Sequence, residues 1–285
     1  MFLSRLIIDT GGNPDRPRPG RLWLRNLYQV HQRLCMAFPS DSRKSEDPDF
    51  LKPFKPEDFG IKQVHVTRQA DSGFLFRIDP RPGGRAMILV QSAAWPDWDY
   101  AFHNASFLAA CEVKTYDPCF VKGQSLRFRL LANPTKKVET IKKEERQNYT
   151  KEELKAIKGR HGKRLPVPCA TEIEDWRLKN PGQDARIFID SQLFDWLASR
   201  GVAAGFSVKK ESTTIQSGYI YWHKKKTQDD KGQRLRTVRY DGILEVTDPA
   251  RIRETVIHGL GPGKAFGFGL LSLAPSQNSP PAGAT

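Results

Sequence analysis

Tyr28 and His31 stand three residues apart in the segment Tyr28-Gln29-Val30-His31. Leu27, Val30 and Leu34 recur at helical spacing and predict a helix over Asn26–Phe38, with these three as its buried stripe and Tyr28 and His31 together on an adjacent face. One phenol and one imidazole then project to one place. Histidine can both accept and donate a proton near neutrality, which is what RNA transesterification asks of a protein. The same spacing also suits an ordinary half-buried histidine beside an ordinary tyrosine, and spacing alone leaves both readings open.

A second candidate is the run from Gly261 to Ser272, with Gly261, Gly263, Gly267 and Gly269 around Lys264. Glycines let backbone N–H groups approach a phosphate closely, and Lys264 adds a charge. The run follows a predicted helix and leads into a predicted strand, the reverse of a dinucleotide fingerprint, and it does not have the spacing of one or of a Walker A loop. It reads equally well as a tight turn between helix and strand.

Other chemistry is less well supported. His65, His103, His161, His223 and His258 are scattered, without the spacing or the carboxylates that hold a metal, so no metal site and no cofactor is expected. Cys35, Cys111, Cys119 and Cys169 lack the close pairing of zinc ligands and read as reduced thiols in a reducing compartment. Neither a G-x-S-x-G motif nor an acidic metal-binding constellation is present, which argues against common hydrolase and metal-dependent nuclease chemistry.

The elements that must position these groups follow a repeated order. Phe2–Asp9 predicts a strand, Asn26–Phe38 a helix, 73–79 and 86–91 two strands around DPRPGGR, and 103–111 a short helix. The second half reads as a strand at 125–132, an interposed run at 134–189, a helix at 191–200 and two strands at 217–225 and 235–246. A helix opened by Asp248 and Pro249 and a strand at 268–273 complete it. The expected fold is α+β, two tandem ferredoxin-like (RRM-like) βαββαβ domains at 1–122 and 123–275, with 276–285 as a tail. No run approaches the roughly 18 apolar residues of a membrane span, and MFLSRLIID is too short for a signal-peptide core; a soluble, cytoplasmic protein without a membrane partner is expected.

The chain has 285 residues and a net charge of +14, and 38 % apolar residues suffice for a core. The charge is concentrated. Residues 136–164 carry eleven Lys/Arg against five Glu, and residues 209–239 carry nine against three acids. Such stretches suit a polyanion, whose counterions each bound Lys or Arg releases, and they also suit a solvated surface. In the first, Thr150 and Glu153 fit a capping box; in the second, a hairpin carries Lys224, Lys225, Lys226, Arg234, Arg236 and Arg239. Lys136, Lys137, Arg127 and Arg129 extend the candidate RNA-binding set.

These motifs combine into a resemblance. Residues 242–275, GILEVTDPARIRETVIHGLGPGKAFGFGLLSLAP, resemble the C-terminal signature of the CasE family, the CRISPR-repeat endoribonuclease subunits of type I-E Cascade; MFLSRLIID, LVQSAAWPDWDYAF and SLRFRLLANPTKK resemble further segments in the same order. The resemblance implies tandem ferredoxin-like domains, cleavage of precursor CRISPR RNA at the base of each repeat hairpin, and retention of the hairpin in the complex. It implies other Cascade subunits as partners, and target DNA only through the complex. The family's helical Tyr-x-x-His is matched by Tyr28 and His31, with Leu27 where members often have Pro. Residues 138–189 look longer than the family's usual connection, and the hairpin's basic residues are nominated from charge rather than aligned one by one. The implied chemistry is metal-independent attack of the ribose 2′-hydroxyl, giving 2′,3′-cyclic phosphate and 5′-hydroxyl ends. A non-catalytic RNA-binding scaffold and an enzyme binding a nucleotide on the Gly-rich loop are the competing readings.

Overall fold

The computed structural model describes residues 1–12, 18–58, 60, 73–137, 148, 150, 152–153, 164–222 and 233–276. Lys224, Lys225, Lys226, the hairpin turn, His65, His161, His223 and residues 277–285 lie outside the described residues. Strands β1 (Phe2–Asp9), β2 (Phe74–Arg81), β3 (Arg85–Ser92) and β4 (Leu108–Thr115) form an antiparallel sheet in the order β2-β3-β1-β4. Strands β5 (Ser125–Ala132), β8 (Phe206–Trp222), β9 (Gln233–Val246) and β10 (Leu271–Pro275) form a second, in the order β10-β5-β9-β8. Numbering each sheet's strands along the chain gives 4-1-3-2 in both, the ferredoxin-like arrangement.

Local sequence explains most of these elements. In β5 the burial alternates so that Leu126, Phe128, Leu130 and Ala132 face the core while Arg127 and Arg129 turn away from it. Helices α1 (Pro19–Leu24) and α2 (Leu27–Cys35) follow β1, and Asn26 caps α2 by accepting from the Gln29 amide at 3.3 Å. Short helices α3 (Asp41–Glu46) and α4 (Trp98–Ala101) complete the first unit. Its core joins Leu6, Ile8, Val30, Leu34, Phe74, Phe76, Ile88 and Val90.

In the second unit a two-stranded ribbon, β6 (Thr135–Lys137) with β7 (Arg164–Pro166), leads to α5 (Ala170–Lys179) and α6 (Ala185–Ala204). Leu193 and Leu197 of α6 pack with Phe206, Val238, Tyr240 and Leu244. Asp248 caps α7 (Pro249–His258), accepting from the Ala250 and Arg251 amides at 3.1 Å, as its sequence predicts. The capping box also forms: Thr150 Oγ1 accepts from the Glu153 amide at 3.2 Å, and Glu153 Oε2 accepts from the Thr150 amide at 2.9 Å.

Several boundaries differ from expectation. The helix predicted at 103–111 is not formed; its last residues begin β4, an edge strand exposed on most positions and therefore without the alternation that marks a half-buried strand. The helix expected at 191–200 extends to both sides, and the final strand starts at Leu271 because Gly269 keeps a left-handed backbone, φ +91°.

Candidate active site

Helix α2 places His31 and Tyr28 differently from the expectation of a shared face. His31 is only 6 % exposed, whereas Tyr28 is 40 % exposed. The buried stripe is Val30, His31, Leu34 and Cys35, so the imidazole belongs to the core edge, and Leu27 is only partly buried. Phe74 and Phe76 of β2 hold the ring, with centroids 5.3 and 6.2 Å away at tilts of 30° and 21°. Cys35 Sγ lies 3.7 Å from His31 Nε2, one helical turn on. Burial pushes the Cys35 thiol up to about 12, so it serves as a neutral neighbour and not as a thiolate nucleophile. Arg33 fixes the far side of α2: it donates to the Ala101 carbonyl at 2.8 Å and lies over the Phe50 and Phe102 rings.

The Gly-rich run of the second unit reaches this helix. Its single 3-10 turn, Lys264–Phe266, packs against α2 and β2. Since β2 is an edge strand, the end of α7 and the run close over that edge and together touch both its faces. A Cβ on Gly259 would sit 2.8 Å from Leu75 Cδ1 on one face, and a Cβ on Gly267 would sit 3.1 Å from Phe76 Cε2 on the other. Gly267, at φ +80°, thus meets the ring that flanks His31. Gly261, Gly263 and Gly269 share the left-handed backbone, so the structure uses these glycines to seat a clasp. Gly267→Val is expected to destabilise the fold by at least about 2 kcal/mol, from backbone strain and overpacking on Phe76. An unchanged urea midpoint would show that the clasp tolerates a side chain there.

The two sheets face one another through a ladder of alternating charge. Arg77 donates bidentately to Asp79 at 2.9–3.0 Å and to Ser272 Oγ of β10 at 2.7 Å. Arg129 lies 4.0 Å from Asp79 and donates to Asp241, which also accepts from Arg239 at 2.6 Å. Gln91 donates to the Val256 carbonyl at 2.6 Å, a further bond between the units. A cleft of about 500 Å³ beside the ladder is lined by Arg77, Arg127, Arg129, Asp241 and Ser272.

The nominated basic residues are therefore dispersed. Arg129 and Arg239 sit in the ladder, and Arg127 donates to the Pro275 carbonyl at 3.2 Å beside the cleft. Lys136 pairs with Glu172, and Lys137 is the exposed last residue of β6. Arg236 donates to the Val167 and Pro168 carbonyls at 2.7 and 3.1 Å, tying the interposed run to β9. Arg234 lies over the exposed Tyr219 ring at 4.3 Å; the Arg236 hydrogen bond to the Tyr219 hydroxyl lowers the phenol's pKa against the effect of burial. Among the described residues, no group of three or more His, Cys, Asp or Glu side chains is placed to hold a metal ion, and no helix is long and apolar enough to cross a membrane.

Two 4-1-3-2 sheets joined by an ionic ladder, with an imidazole helix clasped from the second unit, make this a tandem ferredoxin-like protein. The chain belongs to the CRISPR associated protein family, whose model matches residues 1–275. It is 27 % identical over 281 residues to the CRISPR-associated endoribonuclease Cse3 of Thermus thermophilus, and 27 % identical to the CRISPR system Cascade subunit CasE of Escherichia coli; each comparison covers 96 % of this chain and 100 % of the relative. A structure of CRISPR endoribonuclease Cse3 bound to a 19-nucleotide RNA is similar at TM-score 0.61 and 27 % identity, covering 96 % of this chain and 100 % of that one. The Thermus thermophilus Cse3 structure with an RNA representing a pre-cleavage complex is similar at TM-score 0.58 and 27 % identity, over 96 % and 98 % of the two chains.

Proposed function

We propose that this protein is the endoribonuclease that binds the repeat hairpin of precursor CRISPR RNA, cuts at the hairpin base and remains with the product as a Cascade subunit in the cytoplasm. The observation that carries this reading is the end-to-end similarity to RNA-cleaving relatives, with Tyr28 and His31 on α2, the second helix after the first strand. On this reading residues 1–122 carry the chemistry, residues 123–275 supply much of the grip on the stem, and 276–285 form a tail.

Cleavage proceeds by in-line attack of the ribose 2′-hydroxyl on the adjacent phosphate, leaving a 2′,3′-cyclic phosphate and a 5′-hydroxyl without a metal ion. The proton lost by the nucleophile and the proton gained by the leaving oxygen are the protein's task, and His31 is the group that moves one of them. Tyr28, exposed beside it, orients the 2′-hydroxyl or the phosphate. Lys264 or an arginine stabilises the phosphorane charge. With 6 % of its surface exposed, His31 meets the scissile phosphate only once RNA has displaced neighbouring groups. The turn Lys264–Phe266 packs against the same helix, α2.

The burial of His31 also favours a second reading, an RNA-binding scaffold with an idle histidine. One assay separates them. Wild-type protein is incubated with candidate repeat hairpins in EDTA and the product ends are mapped; specific cleavage to cyclic-phosphate ends supports the enzyme. Tight binding without a cut supports the scaffold.

A further inference from the structure

Residues 136–164 and 209–239 carry most of the net positive charge, yet the first half of the chain gathers a basic pocket of its own. Arg21 on α1 and Arg81 and Arg85 at the β2–β3 turn line a cavity of about 420 Å³, above a floor that includes Leu24, Ile78 and Pro80. No carboxylate lines it. None of the three arginines makes an ion pair among the described residues, and Arg81 meets only a weak acceptor, Met87 Sδ, at 3.2 Å. Asp9 lies opposite Arg85 in the β1–β3 register, but its carboxylate accepts from the Gly11 amide at 2.8 Å. Arg81 and Arg85 are themselves direct cross-strand partners, an arrangement of like charges that costs stability. The contrast with the cleft between the sheets is sharp, because there Asp79 and Asp241 neutralise the guanidinium groups.

The pocket lies in line with the candidate active site. Phe76, which flanks His31, and Ile78 and Pro80, in the pocket floor, are alternate residues of one strand. Ile78 is then about 7 Å and Pro80 about 13 Å beyond Phe76 along β2. Arg21 and Leu24 sit on α1, which packs on α2 just before Tyr28. An apolar floor with a guanidinium rim suits an unpaired nucleotide, whose base needs a surface to lie on and whose phosphates need counter-charge.

We propose that Arg21, Arg81 and Arg85 hold the single-stranded RNA that continues on the 3′ side of the scissile phosphate, the strand that leaves with the 5′-hydroxyl. This rests on the endoribonuclease reading. The pocket anchors the leaving strand while the stem is held elsewhere, so the RNA is fixed on both sides of the reacting phosphate.

The test uses the full chain and two hairpin RNAs, both with a 2′-deoxy nucleotide at the cleavage site to block the reaction. One is trimmed just past the site and the other extended on its 3′ side; affinities are measured between 50 and 200 mM salt. Three phosphate contacts to a single strand give a salt slope of about 2, so the advantage of the extended RNA should fall roughly 20-fold over that range. In the triple variant Arg21→Ala/Arg81→Ala/Arg85→Ala both the advantage and its salt dependence are expected to vanish. The corresponding Lys variant should keep most of each, and melting curves check the fold of both.

A wild-type protein indifferent to the extension would overturn the proposal. So would a triple variant that keeps the advantage, the outcome expected if the pocket instead receives an acidic protein segment. Failure of wild type to cut the unmodified hairpins is a different result: it removes the endoribonuclease reading, while the binding ratio still reports on the pocket.

Discussion

His31→Ala is expected to slow cleavage of a repeat hairpin by about 10²- to 10⁴-fold in single-turnover assays, the usual worth of a positioned proton-transfer group. Hairpin affinity should change far less, because on the proposed reading the grip on the stem lies mainly in residues 123–275. The site demands a second variant. The ring packs between Phe74, Phe76 and Cys35, so its removal leaves a cavity and costs stability as well as chemistry. His31→Gln fills more of that space without supplying an imidazole. If both variants melt like wild type and neither cuts, the imidazole is the proton-transfer group. An undiminished rate in either would remove His31 from the reaction.

The largest stability effect is expected at Arg43. It is 5 % exposed and spends its donors on Asp47 at 2.5 Å, Asp58 at 3.1 Å, the Tyr100 hydroxyl at 3.1 Å and the Pro53 and Lys52 carbonyls at 3.1 and 2.6 Å. These bonds organise the loop after α3 around one guanidinium. Arg43→Met removes the cation and leaves carboxylates facing it, a change that typically costs about 3–5 kcal/mol. Urea denaturation reads this directly, and a loss below about 1 kcal/mol would show that solvent or loop rearrangement compensates. Arg43→Met/Asp47→Asn should recover part of the loss, since the pair is coupled.

Asp47 adds a pH dependence to this cluster. Burial pushes its carboxyl up, but the Leu51 and Lys52 amides and the Arg43 guanidinium together hold it below the ordinary carboxylate range. A depressed folded-state pKa contributes stability that is complete above the unfolded value near pH 4 and is lost as pH falls through the folded value. Wild type should therefore lose stability more steeply than Arg43→Met below about pH 4.

What could be read before folding was what neighbouring residues decide. The strand at 125–132, the Asp248 cap and the Thr150–Glu153 box rest on short-range signals, and the strand and both sets of capping bonds form where those signals point. The edge strand β4 escaped because no alternation marks a strand exposed on most positions. The start of α6 escaped because Ile187 is exposed and Phe188 only partly buried, so these residues trace no buried face.

The site divides in the same way. The Tyr28–His31 spacing was legible; the rings that take His31 into the core come from Phe74 and Phe76, brought to it by sheet topology. The alternating Phe74-x-Phe76 pattern signals a strand face and says nothing of its occupant. Net charge was legible as a sum, but pairing is tertiary. Arg129 and Arg239 are offset by Asp241, whereas Arg21, Arg81 and Arg85, distant in sequence, converge without an acidic partner.

The ladder from Arg77 to Arg239 has one more consequence. It crosses from β2, the strand that flanks His31, to β9, the strand that carries the basic hairpin, through bonds that are largely bidentate or shared. The spacing between those strands is therefore braced by side-chain bonds. On the proposed reading, an RNA seated on one strand presents the same linkage to the other on every turnover. The ladder then acts as a gauge block, and where the chain is cut is measured by protein geometry from the base of the stem.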